Sequence, residues 1–258
     1  MKNKLHYLFI LVLLASSCKT SNIIKVVNSQ AKEELYGKIN KVIEKRYSDF
    51  TNKKSLTNER DIFIKNNKQI DRILEYRVFK NLETGILDLQ KMGEIRYNYK
   101  RKKLIEIIEI SSDEKNKSIN QNNSNIIRYS YLDDNASNYE AFRHNNLDHK
   151  GTIVITNDYE MKETISYPND DLKPVTYYKI FNKAFQLTKY TREYYYNNEL
   201  KTENKSYSYL NNNISSVSTA QYKISYEYKF DNRGNWINRI GKINGKIVEL
   251  LKREISYK

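Results

Sequence analysis

From Tyr222 to Phe230 every second residue is apolar or aromatic. Tyr222, Ile224, Tyr226, Tyr228 and Phe230 alternate with Lys223, Ser225, Glu227 and Lys229. A period of two belongs to a strand with one buried face, because successive side chains leave opposite sides of a pleated backbone. Asp231-Asn232-Arg233-Gly234 follows. Asp bonds its own downstream backbone and Gly takes positive φ, so these residues form a hairpin turn. A second strand runs over 235–243. Asn244-Gly245 then suits a two-residue type I′ turn, and a third strand runs from Lys246 to Tyr257. Three consecutive strands make an antiparallel meander.

Weaker copies of the aromatic strand end stand upstream: Tyr97-Asn98-Tyr99, Tyr129-Ser130-Tyr131, Tyr194-Tyr195-Tyr196 and Tyr207-Ser208-Tyr209, each running into a polar turn. Their spacing is irregular, so the repeat is degenerate. With 23 Tyr, 8 Phe and 1 Trp the chain has ample apolar area to bury, which excludes wholesale disorder. The expected fold is all-β: a meander forming an open twisted sheet or partial barrel, with room for a short N-terminal helix. Ala31, Leu35, Ile39, Val42 and Ile43 fit helical spacing and leave residues 30–46 open between helix and strand. The β-branched and aromatic content of 70–79 favours a strand.

The N-terminus reads as an address. Lys2 and Lys4 precede an apolar run from Leu5 to Leu14, too short to span a bilayer as a helix, and Ala15-Ser16-Ser17 leads into Cys18. This stretch resembles a bacterial lipoprotein signal, departing from it at Ala15, where leucine is commoner. The resemblance implies cleavage before Cys18 and acylation of its thiol, palmitate being one such chain. Two or three acyl chains give lasting attachment, each buried methylene contributing about 0.8 kcal/mol. Lys19, in place of a retention aspartate, points to the outer membrane. The lack of an acidic pair at 20–22 points to its periplasmic side. The expected organisation is a signal peptide at 1–17, a lipidated tether at 18–32, a mostly β part at 33–110, a polar loop at 111–125 and a C-terminal hairpin part at 126–258. Cys18 is the only cysteine, so no internal disulfide is available.

Residues 226–236, YEYKFDNRGNW, resemble the tyrosine-aspartate (YD, or RHS-type) repeat, with aromatics before Asp231, Gly234 three residues on and Trp236 after it. The match holds over 222–239 and thins elsewhere. It implies stacked β-hairpins and a structural or binding role.

The formal charge is +14, falling to +12 once Lys2 and Lys4 leave with the leader. Such a balance attracts nucleic acid, acidic headgroups or acidic glycans. Here the cations alternate with acids, as in Lys252-Arg253-Glu254, and the wealth of Lys, Asn, Ile and Tyr follows AT-rich codons. Export makes nucleic acid an unexpected partner.

Catalytic signatures are thin. No G-x-S-x-G or phosphate-cradling glycine loop occurs, and the chain has only 7 Gly. His144, Asp148 and His149, with Asp133 and Asp134, are the one grouping of metal-ligand types, but their spacing in an Asn-rich segment fixes no geometry; neither a metal nor a cofactor is expected. Glu33-Glu34, Asp133-Asp134 and Asp170-Asp171 are adjacent pairs, which on a strand point to opposite faces. Tyr226, Tyr228, Trp236 and Arg239 form a candidate aromatic binding face, while Asp231, Gly234, Asn244 and Gly245 are turn residues. The expected role is a non-enzymatic scaffold, anchored through acyl chains on Cys18, that holds an envelope protein or an anionic glycan. An envelope glycan hydrolase using loop carboxylates and a toxin-neutralising interaction protein are the alternatives.

Overall fold

The computed structural model describes residues 21–29, 35–47, 56–65, 69–80, 87–112, 119–168 and 172–258. A helix, α1 (Asn22–Ser29), leads into β1 (Ile39–Tyr47), β2 (Leu56–Ile64), β3 (Ile70–Lys80), β4 (Leu87–Lys100), β5 (Lys103–Ser112), β6 (Ile119–Tyr131), β7 (Ala136–Arg143) and β8 (Asn146–Asn157). The chain continues through β9 (Glu160–Ser166), β10 (Val175–Phe181), β11 (Leu187–Tyr196), β12 (Glu199–Leu210), β13 (Asn213–Ser218), β14 (Lys223–Phe230), β15 (Trp236–Ile243) and β16 (Lys246–Tyr257).

Each strand pairs with its neighbours in sequence, and β1 pairs antiparallel with β16, with Glu44 opposite Arg253 and Arg46 opposite Leu251. The expectation of an open sheet or partial barrel is therefore corrected: the barrel is closed. Closure pairs the free edges of the first and last strands, which would otherwise present unpaired backbone groups.

Paired residues share a face, which separates inside from outside. Val42 faces Ile62, Ile62 faces Ile73, Tyr97 faces Ile107 and Tyr129 faces Tyr139. These side chains form one buried cluster with Ile23, Val26 and Val27 of α1 and with Phe181 of β10. One short helix cannot cover side chains from β1 round to β10 on a convex wall, so this face is the interior. The other face is charged. Lys41 meets Asp61 at 2.8 Å, Arg128 meets Glu106 at 3.0 Å, Lys150 meets Glu140 at 3.0 Å and Lys242 meets Glu227 at 2.5 Å. Glu94 lies between Arg96 at 2.7 Å and Lys91 at 3.1 Å. Burial pushes its carboxyl up, but those two cations outweigh it and hold the group below the usual range. An outer stripe of Leu74, Ile108 and Ile126 interrupts this charged surface.

The up-and-down order gathers alternate connections into two rims. One rim carries Lys65 and Gln69, Arg101–Lys102, 132–135, Asp158–Tyr159, 182–186, Asn211–Asn212 and 231–235. Here α1 plugs the mouth. Residues 18–32, expected as a tether, contain this helix. Ile23, Val26 and Val27 are spaced to share one helical face and are almost wholly buried. Ile23 N–H donates to Asp134 O, Asn28 Nδ2 donates to Lys102 O, and Leu104 N–H donates to Asn28 Oδ1. Each of the three apolar side chains contributes about 1.5–3 kcal/mol by leaving water, which an isolated helix of this length needs. Where the described chain resumes, Tyr36 is bonded to Asn235. Residues 111–125, expected as a loop, hold the end of β5 and the first half of β6, with Ser112 opposite Ile119. Residues 113–118 lie outside the described part.

The tyrosine doublets occupy the interior near the plugged rim. The second tyrosine of each reaches back to a carbonyl at the start of the preceding strand: Tyr99 to Ile70 at 2.9 Å, Tyr131 to Leu104 at 2.7 Å, Tyr209 to Leu187 at 2.8 Å and Tyr228 to Ile214 at 2.7 Å. The hydroxyl ties neighbouring strands together where their ladder ends. The Tyr194–Tyr196 copy differs: it ends β11 at the opposite rim, where Tyr195 and Tyr196 are exposed.

Candidate binding site on the inner wall

The β14–β15 hairpin builds the site. Asp231 Oδ1 accepts from the N–H groups of Arg233 and Asn235, and Gly234 sits at φ +83. Tyr257 O–H donates to the other Asp231 oxygen, with a backbone bond from Gly234 N–H to Asp231 O closing the turn. Burial pushes the Asp231 carboxyl up, but these donors, led by the Tyr257 hydroxyl, hold it below its ordinary range. Asn244 and Gly245, at φ 48 and 80, form the type I′ turn of the next hairpin.

A register shift beside Phe230 and Trp236 brings Trp236 to the same inner face as Arg239. Arg239 lies opposite Tyr228, while Tyr226 lies opposite Gly241. A Cβ at Gly241 would come within 3.0 Å of the Tyr226 ring, so glycine provides the space for that ring. The four residues read from the sequence come together: Tyr228 meets Trp236 edge-on at 6.1 Å, and the Arg239 guanidinium stands 5.2 Å from the Tyr226 ring and 5.4 Å from Trp236. Burial pushes the Tyr226 and Tyr228 hydroxyls up, keeping both neutral donors at ordinary pH.

Four further residues complete the wall. The Arg253 guanidinium covers Trp236 at 3.6 Å, and its Nε and Nη2 both donate to Glu44 Oε2 at 2.9 Å. Arg239 is held in the same manner by Glu249 Oε1, at 3.1 and 2.9 Å. Arg46 approaches Glu249 at 3.7 Å with half its side chain exposed. Trp236 thus lies beside two fixed guanidiniums, and the local charge is positive. Each carboxylate is engaged by an arginine, so neither is poised as a general base. Sequence reading missed Glu44, Glu249 and Arg253 because they reach the wall across the β15–β16 and β16–β1 pairings, which no local motif announces.

The other candidate groups are dispersed. His144 lies in the β7–β8 turn at φ 51, while His149 Nδ1 is 2.7 Å from Asp148 Oδ2. Asp133 and Asp134 are exposed at the plugged rim, and Asp133 Oδ1 accepts from Asn135 N–H. Among the described residues no three metal-ligating side chains converge. Cys18, Glu33, Glu34, Asp170 and Asp171 lie outside the described part.

No protein-family model matches the chain, and no curated protein matches it. Among solved structures, a porin-like protein from Bacteroides vulgatus is similar at a TM-score of 0.43 with 11% identity, over 85% of this chain and 98% of that one. A porin-like protein from Bacteroides uniformis is similar at a TM-score of 0.40 with 10% identity, over 86% of this chain and 98% of that one.

Proposed function

We propose that this chain is a lipid-anchored envelope protein, held by acyl chains on Cys18 at the periplasmic side of an outer membrane, whose barrel binds an anionic glycan without transforming it. The observation that carries the binding role is the inner wall itself. Tyr226 and Tyr228, half-buried, offer rings beside Arg239, Trp236 lies buried against them beneath Arg253, and the cationic side chains outnumber the carboxylates that fix them. Sugar rings stack on such faces while their acidic groups meet guanidinium. The outer wall supports the anchor. A barrel that spans a bilayer turns an apolar band to lipid, whereas this one turns out ion pairs such as Lys41–Asp61 and Arg128–Glu106. Its membrane attachment then has to come from another part of the chain, and the acylated Cys18 supplies it.

Trp236 is the sole tryptophan, so its fluorescence reports directly on the wall. Titration with polygalacturonate quenches or shifts that emission in a saturable way, and neutral dextran does not; Arg239→Gln weakens the response at least tenfold. Emission indifferent to both polymers rejects the binding role. The anchor is tested separately. Cys18→Ser removes palmitate labelling and releases the protein from the membrane fraction; unchanged partition refutes lipidation.

A further inference from the structure

Five two-residue turns among the described residues place both residues at positive φ. Four use residues suited to it: His144–Asn145, Asn197–Asn198, Asn211–Asn212 and Asn244–Gly245. The fifth is Arg101–Lys102, at φ 48 and 67. Long cationic side chains gain nothing from this backbone region, and strain kept where Asn-Gly would relieve it points to a demand made by the side chains.

Lys100 and Lys103 flank the turn, which makes four consecutive cations at one hairpin tip. Lys100, Arg101 and Lys102 are exposed and have no carboxylate partner among the described residues, and Lys103 packs over the Tyr131 ring. The tip is fastened to α1: Asn28 and Gln69 both donate to Lys102 O, and Asn28 accepts from Leu104 N–H. The same rim exposes Lys25, Lys183 and Arg233. Its acids are Asp71, Asp133, Asp134, Asp158 and Asp231; Lys65 holds Asp71 at 2.6 Å, and Asp133 and Asp231 are engaged with turn backbone. The chain enters this rim at Ser21, close after Cys18.

We propose that the plugged rim, led by Lys100–Lys103, is an electrostatic foot that docks on an anionic phospholipid surface. It fixes the barrel with its plugged mouth towards the bilayer and its other mouth away from it. The orientation rests on the anchor at Cys18, whereas the lipid contact does not.

The test uses the full chain, synthesised cell-free without acylation beside preformed vesicles and recovered by flotation. Leader and barrel are then common to every comparison, and acylation of Cys18 is scored separately in cells. At low salt, vesicles of phosphatidylcholine with phosphatidylglycerol bind more protein than phosphatidylcholine alone, and added salt abolishes the difference. Arg101→Asn with Lys102→Gly installs residues that suit the turn, so folding is retained. It lowers binding to the anionic vesicles about 25-fold, at about fivefold per cation. Lys223→Gln with Lys246→Gln, at the opposite rim, leaves binding unchanged. The proposal is overturned if the turn variant binds as wild type does, if both vesicle types bind alike, or if the opposite-rim variant loses as much as the turn variant.

Discussion

Asn235 grips Tyr36 from both sides. Its Oδ1 accepts from Tyr36 N–H at 2.6 Å and its Nδ2 donates to Tyr36 O at 2.9 Å, across a separation of 199 residues. Nδ2 also donates to the Tyr257 hydroxyl at 2.8 Å. One buried amide thereby joins the segment leading into β1, the β14–β15 turn and the end of β16.

Asn235→Ala removes all three bonds, including both that hold the Tyr36 backbone. The expected loss is about 2–3 kcal/mol, read as a fall in the denaturant midpoint. Amide exchange should rise first at Leu35–Gly37. Protection there equal to wild type would show that the clamp does not hold the segment.

The tyrosine hydroxyls that tie neighbouring strands should act independently. Tyr131→Phe and Tyr228→Phe each orphan a carbonyl, at Leu104 and Ile214, and each costs about 1 kcal/mol. The sites share no partner, so the double variant loses the sum. Thermal melts of the two singles and the double decide this.

Alkali attacks the same set. Burial pushes the Tyr131, Tyr190 and Tyr209 hydroxyls up to about 12, and lifts Tyr99, Tyr129 and Tyr139 as well. A folded-state pKa above the unfolded value stabilises fully below the unfolded value and is lost as pH rises through the folded one. Stability should therefore hold to about pH 10 and fall steeply by about pH 12. Phenolate absorbance should rise together with the loss of β-sheet signal. Titration of every tyrosine near its ordinary value with the barrel intact would contradict the buried assignment.

Gly151 is a test of close approach. A Cβ there would fall 2.0 Å from the Tyr139 ring, whose hydroxyl donates to Glu163 at 2.7 Å while Lys179 holds the other carboxylate oxygen at 2.8 Å. Gly151→Ala must displace the ring and disturb that network, at about 1–3 kcal/mol. Gly151→Ala combined with Tyr139→Ala should lose less than the sum of the two single changes, since the clash is then gone.

What the sequence discloses depends on how apolar the inner wall is at each point. Around 222–257 the inward positions are Ile224, Tyr226, Tyr228 and Trp236, so alternation and turn chemistry expose the hairpins and the aromatic part of the site together. On β1 the inward residues are Val42, Glu44 and Arg46, which make the inner wall polar away from α1 and erase the alternation. The pattern there leaves residues 30–46 open between helix and strand, and without that strand the closure carries no local signal. The short N-terminal helix stands at Asn22–Ser29 rather than within 30–46, because eight residues carry little helical pattern of their own and gain their stability from the mouth they fill. The Glu44–Arg253 half of the site is a product of the closure and carries no local signature.

The β1–β16 seam sets a condition on biogenesis. Its two sides are far apart in sequence, 209 residues between Glu44 and Arg253, and their register runs from Ile39 with Tyr257 to Tyr47 with Leu250. Until the final stretch has emerged, the earlier strands have no partner to complete the circle and must wait with raw borders. A message truncated before codon 250 would therefore yield not a slightly shorter protein but a sticky ribbon, fit for proteolysis or aggregation.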